Sequence, residues 1–349
     1  MRILVTGGAG YLGSVLIPKL LVRRHDVKVL DVGYFGIGHL RPYQPTVEIL
    51  RDDLRRLLTD SAFAEPLLDG VDCIIHLAAI SNDPSAELQP ELTAEVNLAG
   101  TKALADAARA RGIRFIFSSS CSVYGSADTL IDENGPTQPL TVYAVSKLQA
   151  EDYLASIATD QWRPIILRNG TLFGHSPRMR FDLVVNIFSL HSTLYHQIRI
   201  FGTGEHWRPF LHVRDCARAF LHFAELPEPQ HLRYNIAHEN LRVVDVAAVF
   251  AQLNPGLEIQ HADLPTDDVR NYRVHAARAA ADGYQPAIDV ATGAEEMCEA
   301  IVSGAIPDPE SVFYRNAKWL AELTHIGGKN HRDLVGMMEM MARMPGVSR

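Results

Sequence analysis

The chain has 349 residues, of which 47% are hydrophobic and 21% are charged, and its formal net charge at pH 7 is -8. A chain of this length and hydrophobicity can bury a large core, which excludes an intrinsically disordered protein and favours two lobes in one chain. The negative charge argues against a nucleic-acid-binding protein, because such a protein carries a basic excess. Any anionic ligand must therefore meet local positive charge.

The compartment is indicated by cysteine spacing and by the absence of long apolar runs. Cys73, Cys121, Cys216 and Cys298 are far apart and form no CxxC pair, so neither a disulfide scaffold nor a redox motif is predicted. No apolar run approaches the roughly 18 to 20 residues that a membrane span needs, and nothing precedes the first predicted strand. We expect a cytoplasmic protein with no membrane partner.

The first half of the chain alternates short apolar runs with amphipathic stretches. The apolar runs are typical of buried strands and cover residues 2–6, 27–31, 47–50, 73–77, 114–119 and 164–168. Stretches with helical spacing cover residues 11–24, 92–111 and 142–158. This alternation predicts an α/β fold of the Rossmann type, with a doubly wound parallel sheet.

The pattern becomes irregular after Gly174, with short strands expected near Ile198 and Tyr234 and a helix near residues 244–253. We assign residues 1–174 to the Rossmann domain, to which later segments return. Residues 175–306 are assigned mainly to a smaller C-terminal substrate-binding lobe, and residues 307–349 to a helical C-terminal extension. Five methionines between positions 337 and 344 indicate packing on the body or on another subunit, with an adaptable partner groove as the alternative.

A glycine-rich segment directly follows the first predicted strand. Residues 7–13 read GGAGYLG, which contains GxGxxG from Gly8 and GxxGxxG from Gly7. Glycines here permit a tight turn and close backbone approach, so that a pyrophosphate can lie on the N-terminus of the following helix. A dinucleotide is therefore predicted to bind Gly7, Gly10, Tyr11, Leu12 and Gly13.

Asp31 ends the second predicted strand, 18 residues after Gly13. A carboxylate at this place accepts hydrogen bonds from the adenosine ribose hydroxyls and repels a 2′-phosphate. Because no arginine or lysine lies between Asp31 and Arg41, we predict NAD rather than NADP; a solvated aspartate at a strand end is the alternative. Asp53 and Leu54 follow the third strand within reach of an adenine, and a surface position for Asp53 stays open.

Tyr143 and Lys147 are four residues apart in a predicted helix and therefore share one face. A neighbouring ammonium stabilises a phenolate and lowers the tyrosine pKa from its usual value of about 10. Tyr143 then becomes a usable acid or base. The segment SSSCSVYG at residues 118–125 follows the fifth predicted strand, where a hydroxyl can bind the same substrate oxygen.

These motifs together resemble the extended short-chain dehydrogenase/reductase family, especially its NAD-dependent nucleotide-sugar epimerase/dehydratase branch. The motifs follow the order of the family over most of residues 1–300. They are the glycine loop, Asp31, HLAA at 76–79, Asn97, the serine-rich segment, YxxxK and RPFLHVRD at 208–215. The resemblance implies that Ser120 is the catalytic hydroxyl, Tyr143 the base and Lys147 the group that holds the nicotinamide ribose.

Further binding residues are implied by the same resemblance. Those expected at the cofactor are Leu77, Ala78, Ala79, Asn97, Ser118 and Asn169. Those expected at a nucleotide-diphosphate sugar are Ser81, Ser120, Thr171, Asn186, Arg208 and Arg270. Arginine suits a diphosphate because its planar guanidinium makes paired hydrogen bonds, although a surface salt bridge is the alternative for each arginine. Thr171 replaces an asparagine that is usual in the family.

The two residues after Ser120 bear on the reaction. In dehydratases of this branch the catalytic hydroxyl is followed by Asp-Glu, and decarboxylases keep the glutamate, whereas this chain has Cys121 and Ser122. UDP-galactose 4-epimerases carry small residues there. The resemblance therefore favours a C4 epimerase that retains NAD. A net dehydrogenase or ketoreductase, a dehydratase, and a non-catalytic NAD-binding regulator are the alternatives.

Three other expectations concern a metal, Cys121 and the oligomer. The histidines between positions 191 and 212 lack HExxH or ligand-pair spacing, so no metal site is predicted. We interpret Cys121 as a small packed residue, with a role as acid or base as the alternative. Since helices 92–111 and 142–158 match those that pair in relatives, we expect a homodimer.

Overall fold

The computed structural model describes residues 1–263 and 270–327. Its strands are β1 (Arg2–Thr6), β2 (Asp26–Leu30), β3 (Val47–Leu50), β4 (Cys73–His76), β5 (Arg114–Ser120), β6 (Ser126–Ile131), β7 (Ile165–Asn169), β8 (Thr171–Phe173), β9 (Gln197–Phe201), β10 (Trp207–His212), β11 (Arg233–Ile236), β12 (Glu239–Arg242), β13 (Glu258–Ala262) and β14 (Asn271–Val274). Its α-helices are α1 (Gly13–Val22), α2 (Arg56–Thr59), α3 (Ala64–Leu68), α4 (Asp83–Leu88), α5 (Pro90–Ala94), α6 (Thr101–Ala110), α7 (Val142–Ser156), α8 (Val184–Tyr195), α9 (Val213–Glu225), α10 (Val243–Leu253), α11 (Ala277–Ala281), α12 (Val290–Val302) and α13 (Asn316–Gly327).

Seven strands form the main sheet in the order β11-β7-β5-β4-β1-β2-β3. Every neighbouring pair is parallel. The six strands predicted from apolar runs all join this sheet, and β11, which contains Tyr234, adds a seventh from within the range 175–306. The chain order reverses on either side of β1, as in a doubly wound sheet. The predicted α/β fold of the Rossmann type is confirmed.

Helices cover both faces of the main sheet because successive side chains of a strand point to opposite faces. Ile3 and Val5 of β1 share a core cluster with Leu16 of α1 and Phe220 of α9. Leu4 between them belongs instead to a cluster with residues of α6 and α7. Burial on both faces explains why these strands are almost continuously apolar.

A smaller lobe extends from the carboxyl ends of the main strands. It contains the sheet β12-β10-β8 and the strand pairs β13-β9 and β14-β6. Phe173, Phe188, Phe210 and Phe250 belong to its core cluster, which lies among α8, α10 and α12. Because β8 follows β7 after one residue, the lobe is anchored beside the end of a main-sheet strand.

The predicted helix 92–111 is interrupted in the structure. Residues Glu95–Gly100 form a π-helical stretch between α5 and α6. Asn97 lies in this stretch with only 1% of its surface exposed. Stretches of this kind often occur at functional sites, and the apolar spacing that predicted one helix does not distinguish it.

Part of the predicted C-terminal extension is helical and packs on the Rossmann domain. Trp319 of α13 donates from Nε1 to the Tyr34 carbonyl oxygen at 2.6 Å. Trp319 and Leu323 share a cluster with Ile80 and Ala86. The methionines of positions 337–344 lie outside the described residues. Within the part of the chain that the structure describes, we find no helix long and apolar enough to cross a lipid bilayer.

Candidate active site

A cavity of about 320 Å³ opens at the carboxyl ends of the main strands, where doubly wound folds bind their ligands. One wall comes from the turns after β1, β2, β4, β5 and β7, and the other from the segment between β8 and α8 and the start of β14. The predicted site residues that line it are Gly7, Gly10, Tyr11, Leu12, Gly13, Asp31, Asp53, Leu54, Leu77, Ala78, Ala79, Ser81, Ser118, Ser120, Tyr143, Lys147, Asn169, Thr171 and Arg270.

The glycine loop is packed so closely that two of its positions have no room for a side chain. Gly7 has a φ of +72°, and a Cβ there would lie 2.7 Å from the Ala78 nitrogen. A Cβ on Gly13 would lie 2.5 Å from the Gly8 carbonyl oxygen. Helix α1 begins at Gly13, two residues later than expected, at the wall of the cavity. This arrangement fits a dinucleotide whose pyrophosphate lies against backbone and a helix N-terminus.

Asp31 and Asp53 lie at the edge of the cavity beyond β2 and β3. The two carboxylate oxygens of Asp31 accept hydrogen bonds from the Ala9 nitrogen at 2.9 Å and the Gly33 nitrogen at 2.8 Å. Burial raises the pKa of Asp31, and these two hydrogen bonds oppose the rise. Asp53 is 8% exposed and pairs with Arg55 at 2.7 Å. Both carboxylates are therefore fixed in place before any ligand arrives.

Asn97 acts one layer behind the cavity and does not line it. Its Oδ1 accepts from the Ile80 nitrogen at 2.8 Å, and its Nδ2 donates to the Ile80 oxygen at 3.1 Å. Nδ2 also donates to the Ser146 hydroxyl at 3.1 Å. Asn97 thus ties the turn after β4 to helix α7, which carries Tyr143 and Lys147.

The three residues predicted to be catalytic meet at one place in the cavity. Thr141 caps helix α7, and Tyr143 follows in its first turn, hydrogen-bonded to Ser120. Lys147 is 2% exposed and donates from Nζ to the Ser118 carbonyl oxygen at 2.8 Å. Its Nζ lies 5.8 Å from the centroid of the Tyr143 ring. A hydroxyl, a phenol and an amine therefore surround the same space.

The electrostatics differ from the expectation that Lys147 lowers the pKa of Tyr143. Burial raises the pKa of Tyr143 to about 12, and the Asp83 charge adds to the rise, while Arg180 and the Ser120 hydrogen bond oppose it. Burial also lowers the pKa of Lys147 to about 7. The charges that act on Tyr143 here are those of Asp83 and Arg180, and the Lys147 amine is directed to the Ser118 carbonyl oxygen instead.

Cys121 lies behind the catalytic serine in the protein core. It is 1% exposed, and its thiol contacts the Arg168 carbonyl oxygen at 3.2 Å. Burial raises the pKa of this thiol far above its usual value. Ser122 lines the cavity instead. The geometry matches a packed cysteine rather than an acid or base.

The residues expected at the substrate fall into two groups. Thr171 lines the cavity, and Ser81 does so while accepting a hydrogen bond from Asn316 Nδ2 at 3.1 Å. Arg270 also lines it and forms an ion pair with Asp83. Asn169, expected at the cofactor, lies beside them and donates to the Ser118 hydroxyl at 3.1 Å.

Asn186 and Arg208 do not line the cavity, contrary to the expected contacts with substrate. Asn186 is completely buried, where Oδ1 accepts from the Gly174 nitrogen at 2.9 Å and Nδ2 donates to the Tyr11 hydroxyl at 3.1 Å. The Arg208 guanidinium donates to the Arg270 carbonyl oxygen. Both side chains are directed to the protein itself, Asn186 to Tyr11 and Arg208 to Arg270.

Several cavity residues were missed in the sequence analysis, namely Arg178, Arg180, Asp83, Tyr272 and Asn316. Positions 178, 180 and 182 are arginine, arginine and aspartate. In an extended chain, side chains two residues apart point to the same side. That spacing was a usable signal, although it lies in a segment with no clear element. Asn316 begins α13, and nothing local indicates that it reaches the cavity.

The four histidines considered for a metal are dispersed in the fold. Among residues 1–263 and 270–327, no group of three or more His, Cys, Asp or Glu side chains is arranged to hold a metal ion. His212 lies in the core beside Glu296, at 3.1 Å.

Comparison with known proteins identifies the family. A model of the NAD dependent epimerase/dehydratase family matches residues 3–237. The chain belongs to this family. It is therefore an NAD-dependent enzyme of the extended short-chain dehydrogenase/reductase type, as the motifs predicted, and the glycine cradle at Gly7 and Gly13 fits that cofactor.

Relatives within the family carry out different reactions. The chain is 33% identical to an uncharacterized UDP-glucose epimerase, YtcB, of Bacillus subtilis over 62% of this chain and 71% of that protein. It is 28% identical to the dTDP-D-glucose 4,6-dehydratase of Mus musculus over 85% of this chain and 88% of that protein. The crystal structure of UDP-glucuronic acid 4-epimerase from Bacillus cereus with UDP-glucuronic acid and NAD superposes with a TM-score of 0.74 at 25% identity, covering 87% and 99% of the chains.

Proposed function

We propose that this enzyme is a nucleotide-sugar epimerase that inverts C4 and retains NAD through each turnover. The observation that carries the proposal is the position after Ser120, where a dehydratase of this branch has an aspartate. Cys121 stands there, buried, with its thiol against the Arg168 carbonyl oxygen. The position next to Ser120 thus has no carboxylic acid that would protonate a leaving hydroxyl.

The residues at the cavity suit a reversible oxidation in which a bound NAD is the hydride acceptor. Tyr143 takes the proton of the sugar hydroxyl as the C4 hydrogen leaves as hydride, and Ser120 holds the same oxygen by a hydrogen bond. When bound, NAD would supply the acceptor for this hydride. Once the ketone has rotated in the site, the same hydride would return to the other face of C4, and Tyr143 would give the proton back to the oxygen. Atoms and electrons balance without a second substrate.

Asp83 lines the cavity and its charge acts on Tyr143, so it is the carboxylate to consider as an acid in an elimination. It is, however, ion-paired with Arg270 and accepts a hydrogen bond from the Thr141 hydroxyl at 2.5 Å. Both carboxylate oxygens of Asp83 are thus engaged by protein groups, which supports epimerisation over dehydration.

Nuclear magnetic resonance in D₂O distinguishes the reactions. Purified enzyme is incubated with a panel of nucleotide-diphosphate sugars and no added cofactor. We expect interconversion of C4 epimers with no deuterium on carbon, because the hydride that leaves C4 returns to C4. Deuterium at C5 with loss of water would establish a dehydratase, release of carbon dioxide a decarboxylase, and a requirement for stoichiometric NAD or NADH a dehydrogenase or ketoreductase; each contradicts the proposal.

Two tyrosines on α7 provide a matched pair of variants for this assay. Tyr143→Phe should lower kcat by about 10² to 10⁴-fold, the usual contribution of general acid–base catalysis. Tyr153→Phe removes a hydroxyl that bonds Asp106 at 2.7 Å on the protein surface and should leave kcat unchanged. Equal activity of Tyr143→Phe and wild type would exclude the phenol from the chemistry.

We also propose a homodimer that pairs through α5, α6 and α7, and a cytoplasmic location. The resemblance to relatives supports the first. All four cysteines lie among the described residues and are free thiols, which is compatible with a reducing compartment.

A further inference from the structure

Arg178 is a buried cation at the wall of the cavity. It lies between β8 and α8, and 2% of its surface is exposed. Its Nη2 donates to Asn316 Oδ1 at 2.6 Å, its Nη1 to the Met179 carbonyl oxygen at 3.2 Å, and its guanidinium lies 3.8 Å from the centroid of the Phe35 ring. Its Nε has no hydrogen-bond partner among the described residues. None of these hydrogen-bond partners is an anion, although the charges of Asp182 and Asp31 act on it from a distance.

This environment is unfavourable for a guanidinium unless a ligand completes it. Arg180, two residues later, is also buried, with 8% of its surface exposed, but pairs with Asp182 at 2.9 Å. Arg178 has no such pairing among the described residues, and burial followed by the charge of Arg180 lowers its pKa to about 9. A buried charge without a directly bonded counter-ion, and a buried N–H without an acceptor, both destabilise a protein. The position therefore favours an anion with oxygen acceptors.

The neighbours of Arg178 show which end of the cavity it serves. Its charge acts on Asp31 and on His39, and Asp31 is bonded to the glycine loop at Ala9. The charges that act on Tyr143 are instead those of Asp83 and Arg180. Arg178 thus lies toward the cofactor end of the cavity, and the anion that NAD brings there is its diphosphate.

We propose that Arg178 is a binding residue for the cofactor diphosphate, contacting it from the side opposite the glycine loop. Asn316 is the positioning residue, since it holds Nη2 while its own Nδ2 is anchored on Ser81. A residue of the C-terminal extension thereby contributes to cofactor binding. The proposal concerns NAD alone and stands whether the enzyme epimerises, dehydrates or oxidises its sugar.

Calorimetric titration with ADP and with adenosine separates a diphosphate contact from other effects. The proteins compared are wild type, Arg178→Gln and Arg178→Lys. The NAD content of each protein is also measured after purification. Arg178→Gln should weaken ADP binding about tenfold or more, because charge-assisted hydrogen bonds to phosphate are lost, and should change adenosine binding less than about twofold. Arg178→Lys should fall between, because it keeps the charge but not Nε or the planar fork.

A surface arginine and a second nucleotide serve as controls. Arg242→Gln, which removes an arginine paired with Asp245 and Glu205, should bind ADP like wild type. Equal weakening of ADP and adenosine, or no weakening of either, would overturn the proposal. Weakened binding of UDP with unchanged binding of ADP would overturn it too, because Arg178 would then belong to the sugar nucleotide.

Thermal unfolding keeps the test decisive if Arg178→Gln folds poorly. Arg178→Met removes the buried charge and retains apolar contact with Phe35. Without cofactor it should unfold at a temperature equal to or above that of wild type, and NAD should stabilise it much less. Full stabilisation of Arg178→Met by NAD would show that the guanidinium is not a ligand.

Discussion

Lys147 is placed where its charged form is poorly solvated. Its amine has one described hydrogen-bond partner, the Ser118 carbonyl oxygen, and lies 4.8 Å from the centroid of the Phe117 ring. Burial lowers its pKa from 10.5 to about 7. An amine with this pKa can lose or gain a proton near neutral pH, which suits a residue beside a phenol that must do the same.

The lowered pKa predicts a pH-dependent stability. In the cofactor-free protein, Lys147 is protonated in both the folded and unfolded states below about pH 7. The free-energy cost of burying its charge is then present in full. Between about pH 7 and 10.5 the unfolded state binds more protons, and stability rises with pH. Lys147→Met should therefore raise the free energy of unfolding more at pH 6 than at pH 9, by about 3 kcal/mol.

Thermal or denaturant unfolding at the two pH values measures this difference. Leu148→Met, at the next position of α7, introduces the same side chain without removing a titratable group and should show no such difference. A Lys147→Met effect that is the same at pH 6 and pH 9 would mean that Lys147 titrates normally in the folded enzyme.

At the scale of elements, the turn between β1 and α1 depends on contact with the turn after β4. Gly7 has a left-handed φ, and its α-carbon faces the backbone of Leu77 and Ala78. The Gly7 nitrogen also donates to the Leu30 carbonyl oxygen at 2.8 Å. The loop is thus held against two strands, which keeps the cradle in shape before the cofactor binds.

Gly7→Ala should weaken NAD binding at least about tenfold, because the added Cβ forces apart the two turns that line the cofactor site. Gly112→Ala is the matched control, since Gly112 has a similar φ of +66° but nothing within 4 Å of an added Cβ. Both variants carry the backbone strain of about 1 to 2 kcal/mol for a non-glycine residue at positive φ. Calorimetry of NAD binding should therefore separate them; equal affinities would argue that the loop contact is unimportant.

At the scale of the whole molecule, the proposed dimer involves the outer faces of α6 and α7. These helices are tied together by the Tyr153 hydroxyl on Asp106 and by Lys102, whose Nζ lies 5.0 Å from the centroid of the Tyr153 ring. The inner face of α7 is buried, while Val145 on its outer face is 37% exposed. A second subunit would cover this face.

Val145→Glu should convert the dimer to a monomer in light scattering at micromolar concentration, because an unpaired carboxylate would be buried at the interface. Val302→Glu is the control, since Val302 is 77% exposed on α12, outside the proposed interface, and its variant should remain dimeric. A wild-type monomer at the same concentration would exclude the dimer itself.

The sequence by itself determined the main sheet, the glycine loop and the positions of Tyr143 and Lys147 on one helix. These features depend on residues close together in the chain: a buried parallel strand is an apolar run, a turn before a helix needs glycine, and residues four apart share a helical face. Even within this half, the interruption at Glu95–Gly100 was not predicted, because a π-helical stretch keeps nearly the same apolar spacing.

Tertiary structure alone decided which polar residues converge on the cavity and in which direction burial shifts their pKa values. Arg178 and Asn316 meet although 138 residues separate them, and Asn186 and Arg208 face the protein rather than the cavity. The pKa of Tyr143 rises because burial outweighs the neighbouring charges. Such contacts and burial depend on how the C-terminal helix and the lobe pack on the sheet. The spacing of residues along the chain does not predict that packing.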